Sequence, residues 1–119
     1  TITSVADGRM LGFLTIRELC TIVGVALDNA IAAVRAEPDP EKRLLRVAVY
    51  DQSGCVMLRF ENYCAQPVEL GADGLPRHNT HGGYDLRGVQ AAAQDHDGTM
   101  TLHWADGWFT LRILLPIPE

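Results

Sequence analysis

The sequence predicts an α+β fold, a two-layer α/β sandwich with helices on one face of a mixed, mainly antiparallel sheet. Three observations lead to this prediction. The stretch Glu18 to Val34 repeats its apolar residues at helical spacing. Two hairpin patterns follow, and a shorter helical pattern lies between them. At 119 residues the chain has room for one domain, residues 1–119.

The N-terminal part of the chain predicts a short strand, Thr1 to Val5, followed by the long helix. Thr15 and Glu18 form the T-x-x-E pattern of a capping box, which marks a helix start. Pro38 follows the periodic residues, and because proline cannot continue a helix, we expect the helix to end before it.

The middle of the chain predicts an antiparallel hairpin with one core face. The runs Leu44 to Asp51 and Cys55 to Glu61 alternate apolar and polar residues, with Gln52-Ser53-Gly54 as the turn. No periodicity appears from Tyr63 to Gly83. A loop of that length inside a compact domain indicates a lid, a binding loop or disorder.

The C-terminal part predicts a helix over about Asp85 to Gln94 and then a second hairpin. Its strands are Thr99 to Trp104 and Trp108 to Leu115, and the Asp106-Gly107 pair between them is a strong hairpin signal.

Two short polar residues, Asp28 and Asn29, interrupt the apolar stripe of the long helix. Both are poor helix formers and are costly to bury without partners, so we expect hydrogen bonds to them. The alternative is that one of them faces water on the shoulder of the helix.

Composition excludes several classes of protein. The net charge of −5 argues against nucleic acid as a partner, since no basic stripe is present to displace counterions. The longest apolar run is far short of a membrane span, so we expect no direct membrane contact. An odd count of 3 cysteines fits a reducing cytoplasm. The chain starts at Thr1 without an initiator Met, and we expect a fragment of a longer protein.

Several motifs resemble a known superfamily in their order along nearly the entire chain. The run from Leu27 to Ile31, LDNAI, resembles the N box of the GHKL ATPases, which include gyrase and the sensor histidine kinases. Asn62 at a strand end, a glycine-rich turn before Leu86 and Val89, and a last strand ending Leu114-Leu115-Pro116 resemble the peptide-pheromone-sensing histidine kinases. The resemblance implies the Bergerat ATP-binding fold, with ATP and Mg²⁺ between the helix layer and a mobile lid.

The resemblance implies a role for each asparagine. Asn29 would ligate Mg²⁺ through its amide oxygen, a hard ligand that suits this cation, and so bridge the nucleotide phosphates. Asp28 would lie near the same site or turn to a structural partner. Asn62 would read the adenine amino group, where most of the superfamily has an acidic residue. The alternative for Asn62 is a turn residue that ends the strand.

The loop from Tyr63 to Gly83 would then be the ATP lid, with Arg77, His78 or His81 facing phosphates or simply solvated. The Gly82-Gly83 pair would let the backbone approach phosphate ahead of the next helix, whose N-terminus attracts anions. No catalytic residue is assigned. The implied cofactor-binding residues are Asp28, Asn29, Asn62, Arg77, His81, Gly82, Gly83 and Leu86.

The chain departs from the superfamily pattern at three positions. Ala32 follows Ala30-Ile31, where the family often has an acidic or basic residue. Val25 stands four residues before Asn29, where ATP hydrolases carry a glutamate, so no general base activates water there. Asp85 stands where the turn usually has its second glycine. Two like charges about 4 Å apart repel by roughly 4 kcal/mol at an effective dielectric of about 20, so Mg²⁺ or Arg87 must offset this carboxylate for tight binding.

Other sites are weaker. His78, His81 and Cys64 supply only three local ligands, where zinc needs four, so no zinc site is predicted. His96 and His103 are expected on the surface.

The implied function is the ATP-binding catalytic domain of a sensor histidine kinase in a two-component system, which presents the γ-phosphate of Mg·ATP to a histidine on a separate dimerisation domain. Its partners would be ATP, the dimerisation and phosphoacceptor helices and a downstream response regulator. The domain would be cytoplasmic and the full-length protein would lie in the bacterial cell membrane. We expect little activity from the fragment alone. The alternatives are a degenerate GHKL domain that acts as a protein-interaction module, or an anti-sigma-type serine kinase.

Overall fold

The computed structural model of the chain describes residues 2–5, 12–64 and 86–117. Within these ranges one sheet contains the strands β1 (Ile2–Val5), β2 (Leu45–Gln52), β3 (Cys55–Tyr63), β4 (Thr99–Ala105) and β5 (Trp108–Pro116). The helices are α1 (Ile16–Leu19), α2 (Val25–Ala36) and α3 (Leu86–Asp95).

The sheet has the strand order β1-β2-β3-β5-β4. β1 is parallel to β2, whereas the other neighbouring pairs are antiparallel. The helices pack on one face, α2 against β2 and β3 and α3 against β4 and β5. The predicted α+β sandwich with a mixed, mainly antiparallel sheet is therefore confirmed.

The predicted capping box begins the helix layer. The Thr15 N–H donates to Glu18 Oε1 at 2.8 Å, and the Glu18 N–H donates to Thr15 Oγ1 at 3.1 Å. The long helix is not regular, because a π-helical segment, Cys20–Gly24, joins α1 to α2. Such segments place an extra residue in one turn, which rotates the residues that follow about the helix axis. The sequence pattern did not predict this segment.

Both hairpins have the predicted turns. Ser53 and Gly54 have φ values of 53° and 81°, and Asp106 and Gly107 have values of 54° and 85°. Two consecutive positive φ angles match the right-handed twist of the flanking strands, which fixes the register of each hairpin.

The core lies between the helix layer and the sheet. Alternate β3 side chains are buried, and they pair in register with buried β5 residues. The core of the described chain includes Ile22, Ala26, Leu58, Phe60, Val89, Leu111 and Ile113. None of the helices described is long and apolar enough to cross a membrane.

Candidate functional site

Asn62 is a buried amide inside strand β3. The strand runs to Tyr63, beyond its predicted end, so Asn62 pairs with Leu45 on one side and Phe109 on the other. This position excludes the alternative of a turn residue that ends the strand. Only 2% of the residue is exposed, and its side chain lies on the same face as the other buried β3 residues, the face under the helices.

The Asn62 side chain lacks most of its hydrogen bonds within the described residues. Its Nδ2 donates to the Tyr63 carbonyl oxygen at 3.4 Å, which is long for a hydrogen bond, and no described group donates to its Oδ1. Buried amides normally find partners, because burial without them costs about 1–3 kcal/mol. The amide is therefore suited to bind a polar ligand between the helix layer and the sheet.

Asn29 lies at the margin of the sheet-facing side of α2. Its neighbours one turn away, Ala26 and Ala33, are only 1% and 5% exposed, and Asn29 itself is half-buried. No residue in the described ranges hydrogen-bonds its side chain. Because α2 packs on β3, Asn29 lies on the helix that covers the strand of Asn62. Its amide oxygen remains available to a hard cation.

Asp28 is exposed and lies on the other side of α2 from the buried alanines. The hydrogen bonds expected for Asp28 and Asn29 are not found within the described residues. For Asp28 the structure agrees with the alternative interpretation, a carboxylate that faces water. A role of Asp28 in ligand binding stays a prediction.

The remaining predicted residues fall into two groups. Arg77, His81, Gly82 and Gly83 lie outside the described residues, so their roles stay predictions. Leu86 begins α3, is 4% exposed and belongs to the hydrophobic core. Its packing explains why an apolar residue stands at this position, while its contact with a ligand also stays a prediction.

The end of β3 is tied to the last hairpin by contacts that the sequence did not indicate. The Cys64 N–H donates to the Gly107 carbonyl oxygen at 2.7 Å, and Trp104 Nε1 donates to the Cys64 carbonyl oxygen at 2.8 Å. These bonds hold the backbone at the end of β3, next to the segment that the sequence predicts to be the lid. No local signal identifies them, because the partners are 40 or more residues apart.

His96, the residue directly after α3, contacts Glu18 of α1. Its Nε2 contacts Glu18 Oε2, and its ring packs edge-on against Phe13 with centroids 5.8 Å apart. The backbone N–H of Thr15, and then His96, hold the pKa of Glu18 below its ordinary value of 4.5. The prediction that His96 lies on the surface is wrong, since it is half-buried, whereas His103 is exposed as expected. The described ranges contain no cluster of ligating side chains suited to a metal ion.

Comparisons with known proteins identify the fold and the family. The family model for the GHKL domain matches residues 14–116. The Acinetobacter baumannii histidine kinase AdeS is 18% identical over 100% of this chain and 54% of that chain, with a TM-score of 0.63. The catalytic domain of histidine kinase ThkA is 18% identical over 85% of this chain and 66% of that chain, with a TM-score of 0.66.

A third similar structure is the histidine kinase domain of a blue-light-activated histidine kinase from Erythrobacter litoralis. It is 12% identical over 98% of this chain and 54% of that chain, with a TM-score of 0.62. At these identities the likeness concerns the fold. The chain spans between 54% and 66% of the length of these three chains. No curated protein sequence matches it.

Proposed function

Since this chain belongs to the GHKL domain family and has the fold of histidine kinase catalytic domains, we propose that it is the ATP-binding catalytic domain of a sensor histidine kinase. The observation that supports this most is the pair of amides on α2 and β3, two elements that pack together. Asn62 is buried and short of hydrogen-bond partners, and Asn29 is half-buried with no described partner. Both stand where the family resemblance requires nucleotide contacts.

The two amides suit the two ends of Mg·ATP. Asn62 offers both a donor and an acceptor, which an adenine edge can satisfy in the dry layer under the helices. Asn29 offers an oxygen to Mg²⁺, and no described neighbour competes for it. The ion would neutralise phosphate charge as the γ-phosphoryl group is transferred.

The chain's own residues favour transfer of the γ-phosphoryl group to an acceptor over hydrolysis of ATP. Val25 supplies an aliphatic side chain where hydrolases of the superfamily carry a general base, so no side chain at this position activates water. The protein would contribute by holding the nucleotide in place and by keeping its base out of water. In this proposal Arg77, His81, Gly82 and Gly83 complete the phosphate site from the loop, and Asp28 flanks it.

The acceptor of the phosphoryl group would be a histidine on a separate dimerisation domain of the same protein. A response regulator would then receive the group. The domain would work in the cytoplasm as part of a longer protein anchored in the bacterial cell membrane.

Titration calorimetry of the chain with a non-hydrolysable ATP analogue tests nucleotide binding directly. We expect Mg²⁺-dependent binding that Asn29→Ala weakens strongly. Gln94→Ala is the matched control, because it removes an amide from an exposed position on α3. Circular dichroism of each variant checks that it is folded.

Each outcome has a clear meaning. Loss of binding in Asn29→Ala with retention in Gln94→Ala supports the proposed site. Equal nucleotide binding in both variants would mean that Asn29 does not contribute to the site. Absence of heat from the folded parent chain at millimolar nucleotide would refute ATP binding and favour the degenerate, non-catalytic module.

A further inference from the structure

The face of the sheet turned away from the helices forms a surface of its own. It includes six aromatic and basic side chains, which alternate with the buried ones along β2, β3 and β5, and we call it the outer face. These residues are Arg46, Tyr50, Arg59, Tyr63, Trp108 and Arg112. In the described part of the chain no helix packs over it, because α2 and α3 contact the opposite face.

The charge of the outer face is opposite to that of the whole chain. The chain carries a net charge of −5, yet this surface holds three arginines. Arg59 and Arg112 are direct cross-strand partners, an arrangement in which like charges repel. Glu61 Oε1 lies 2.8 Å from Arg59 Nε and neutralises that arginine, whereas exposed Arg112 has no ion-pair partner among the described residues. Positive charge therefore remains uncompensated at the middle of the sheet.

Aromatic rings hold two of the guanidinium groups in place. The Arg46 Cζ lies 4.4 Å from the centroid of the Trp108 ring, and the Arg59 Cζ lies 5.8 Å from that of Tyr50. Trp108 in turn packs edge-on against Tyr63 with centroids 6.0 Å apart. A stacked guanidinium loses less conformational freedom when its planar fork binds a carboxylate. Arg46 is therefore arranged in advance for paired hydrogen bonds to an anion, whereas Arg59 already contacts Glu61 through its Nε.

We propose that the outer face is a docking surface for a protein segment rich in Asp or Glu. Charge complementarity identifies the partner, since the uncompensated arginines attract carboxylates and bind them in a bidentate manner. Trp, Tyr and Arg are also the residues that dominate the centres of protein interfaces. An anionic membrane is a poorer match, because membrane-binding surfaces use larger clusters of mobile basic side chains. The site is separate from the proposed nucleotide site, since Asn62 points to the other face of the same sheet.

The test uses the complete 119-residue chain and poly-L-glutamate as the acidic probe. In a nuclear magnetic resonance titration, we expect shifts of the β3 and β5 amides that disappear as salt is added. The variant Arg59→Gln/Arg112→Gln should bind at least about tenfold more weakly, the effect of losing one charge-assisted contact. Arg17→Gln/Arg35→Gln is the matched control, since it removes the same charge from exposed helical positions.

Five results would overturn the proposal. The first three are no shift in the parent chain, an equal loss in the control variant, and shifts confined to other parts of the surface. The fourth is binding to phosphatidylserine vesicles but not to poly-L-glutamate, which would identify a membrane surface instead. Sedimentation checks for a second copy: dimerisation that the Arg59→Gln/Arg112→Gln variant abolishes would also contradict the assigned partner. If the double variant is unfolded, Arg112→Gln alone takes its place, because that side chain is exposed.

Discussion

Replacing Asn62 by leucine should separate the role of this amide in binding from its role in folding. The side chain is 2% exposed, and its one hydrogen bond within the described residues is 3.4 Å long. An amide buried without adequate partners costs about 1–3 kcal/mol, whereas leucine has a similar size and leaves no polar group unsatisfied. We therefore expect Asn62→Leu to raise the free energy of unfolding by about 1 kcal/mol or more.

The same substitution should weaken nucleotide binding. A net hydrogen bond is worth about 0.5–1.5 kcal/mol, so loss of the donor and acceptor together predicts about tenfold weaker binding or more. Urea denaturation followed by circular dichroism measures stability, and calorimetry with an ATP analogue measures affinity. Asn62→Asp is the matched comparison: it keeps the size and the acceptor oxygens, so binding should be largely retained, while the buried carboxylate should lower stability.

Two results would refute this reasoning. A loss of more than about 1 kcal/mol in Asn62→Leu would mean that the amide holds the fold together through bonds outside the described residues. Unchanged affinity in that variant would mean that Asn62 does not contact the nucleotide.

Three further predictions concern stability. Gly107→Ala should lower the free energy of unfolding by about 2 kcal/mol because of the positive φ at this position. The loss should be larger still, because the new Cβ would lie 2.8 Å from the Tyr63 ring. Gly54→Ala is the control without this clash, since Gly54 has a similar φ and no atom within 4 Å of the new Cβ. Urea denaturation should show the larger loss in Gly107→Ala, and equal losses would exclude a role for the ring. Ile113→Ala should lower the unfolding free energy by about 2–5 kcal/mol, since the side chain is fully buried; a thermal melt unchanged from that of the parent would contradict this packing. Because the folded pKa of Glu18 is depressed, its contribution to stability is present above pH 4.5 and is lost as the pH falls through the folded pKa. Denaturation curves across that range should show a smaller pH dependence for Glu18→Gln, and an identical dependence in both proteins would count against the His96 and Thr15 contacts.

Local chemistry in the sequence was sufficient to predict most of the fold. The T-x-x-E pattern, the alternating runs of β2 and β3 and the Asp106-Gly107 pair each depend on residues within a few positions of one another. Side-chain spacing and backbone preference are therefore enough to predict the helix start, the strands and the turn that these patterns form. The order of these elements then indicated the α+β sandwich. The family was indicated by a resemblance, carried by the ordered set of LDNAI, Asn62, the glycine-rich turn and the last strand.

The position of each site residue depended on tertiary structure. Nothing in the sequence near Asn62 shows that β3 continues past it, because that continuation rests on pairing with β2 and β5. Asp28 and Asn29 are neighbours of similar size, yet only packing of α2 on the sheet makes the second half-buried and leaves the first in water.

Contacts between residues far apart in the sequence form only in the folded chain. Residue spacing determined which segments are helices and strands, since those preferences act over a few residues. Only the assembled sheet brings Arg46 over Trp108, and only the helix layer brings His96 to Glu18. Partners so far apart in the chain meet only because the packed core brings their elements together, and no local pattern in either segment specifies the other.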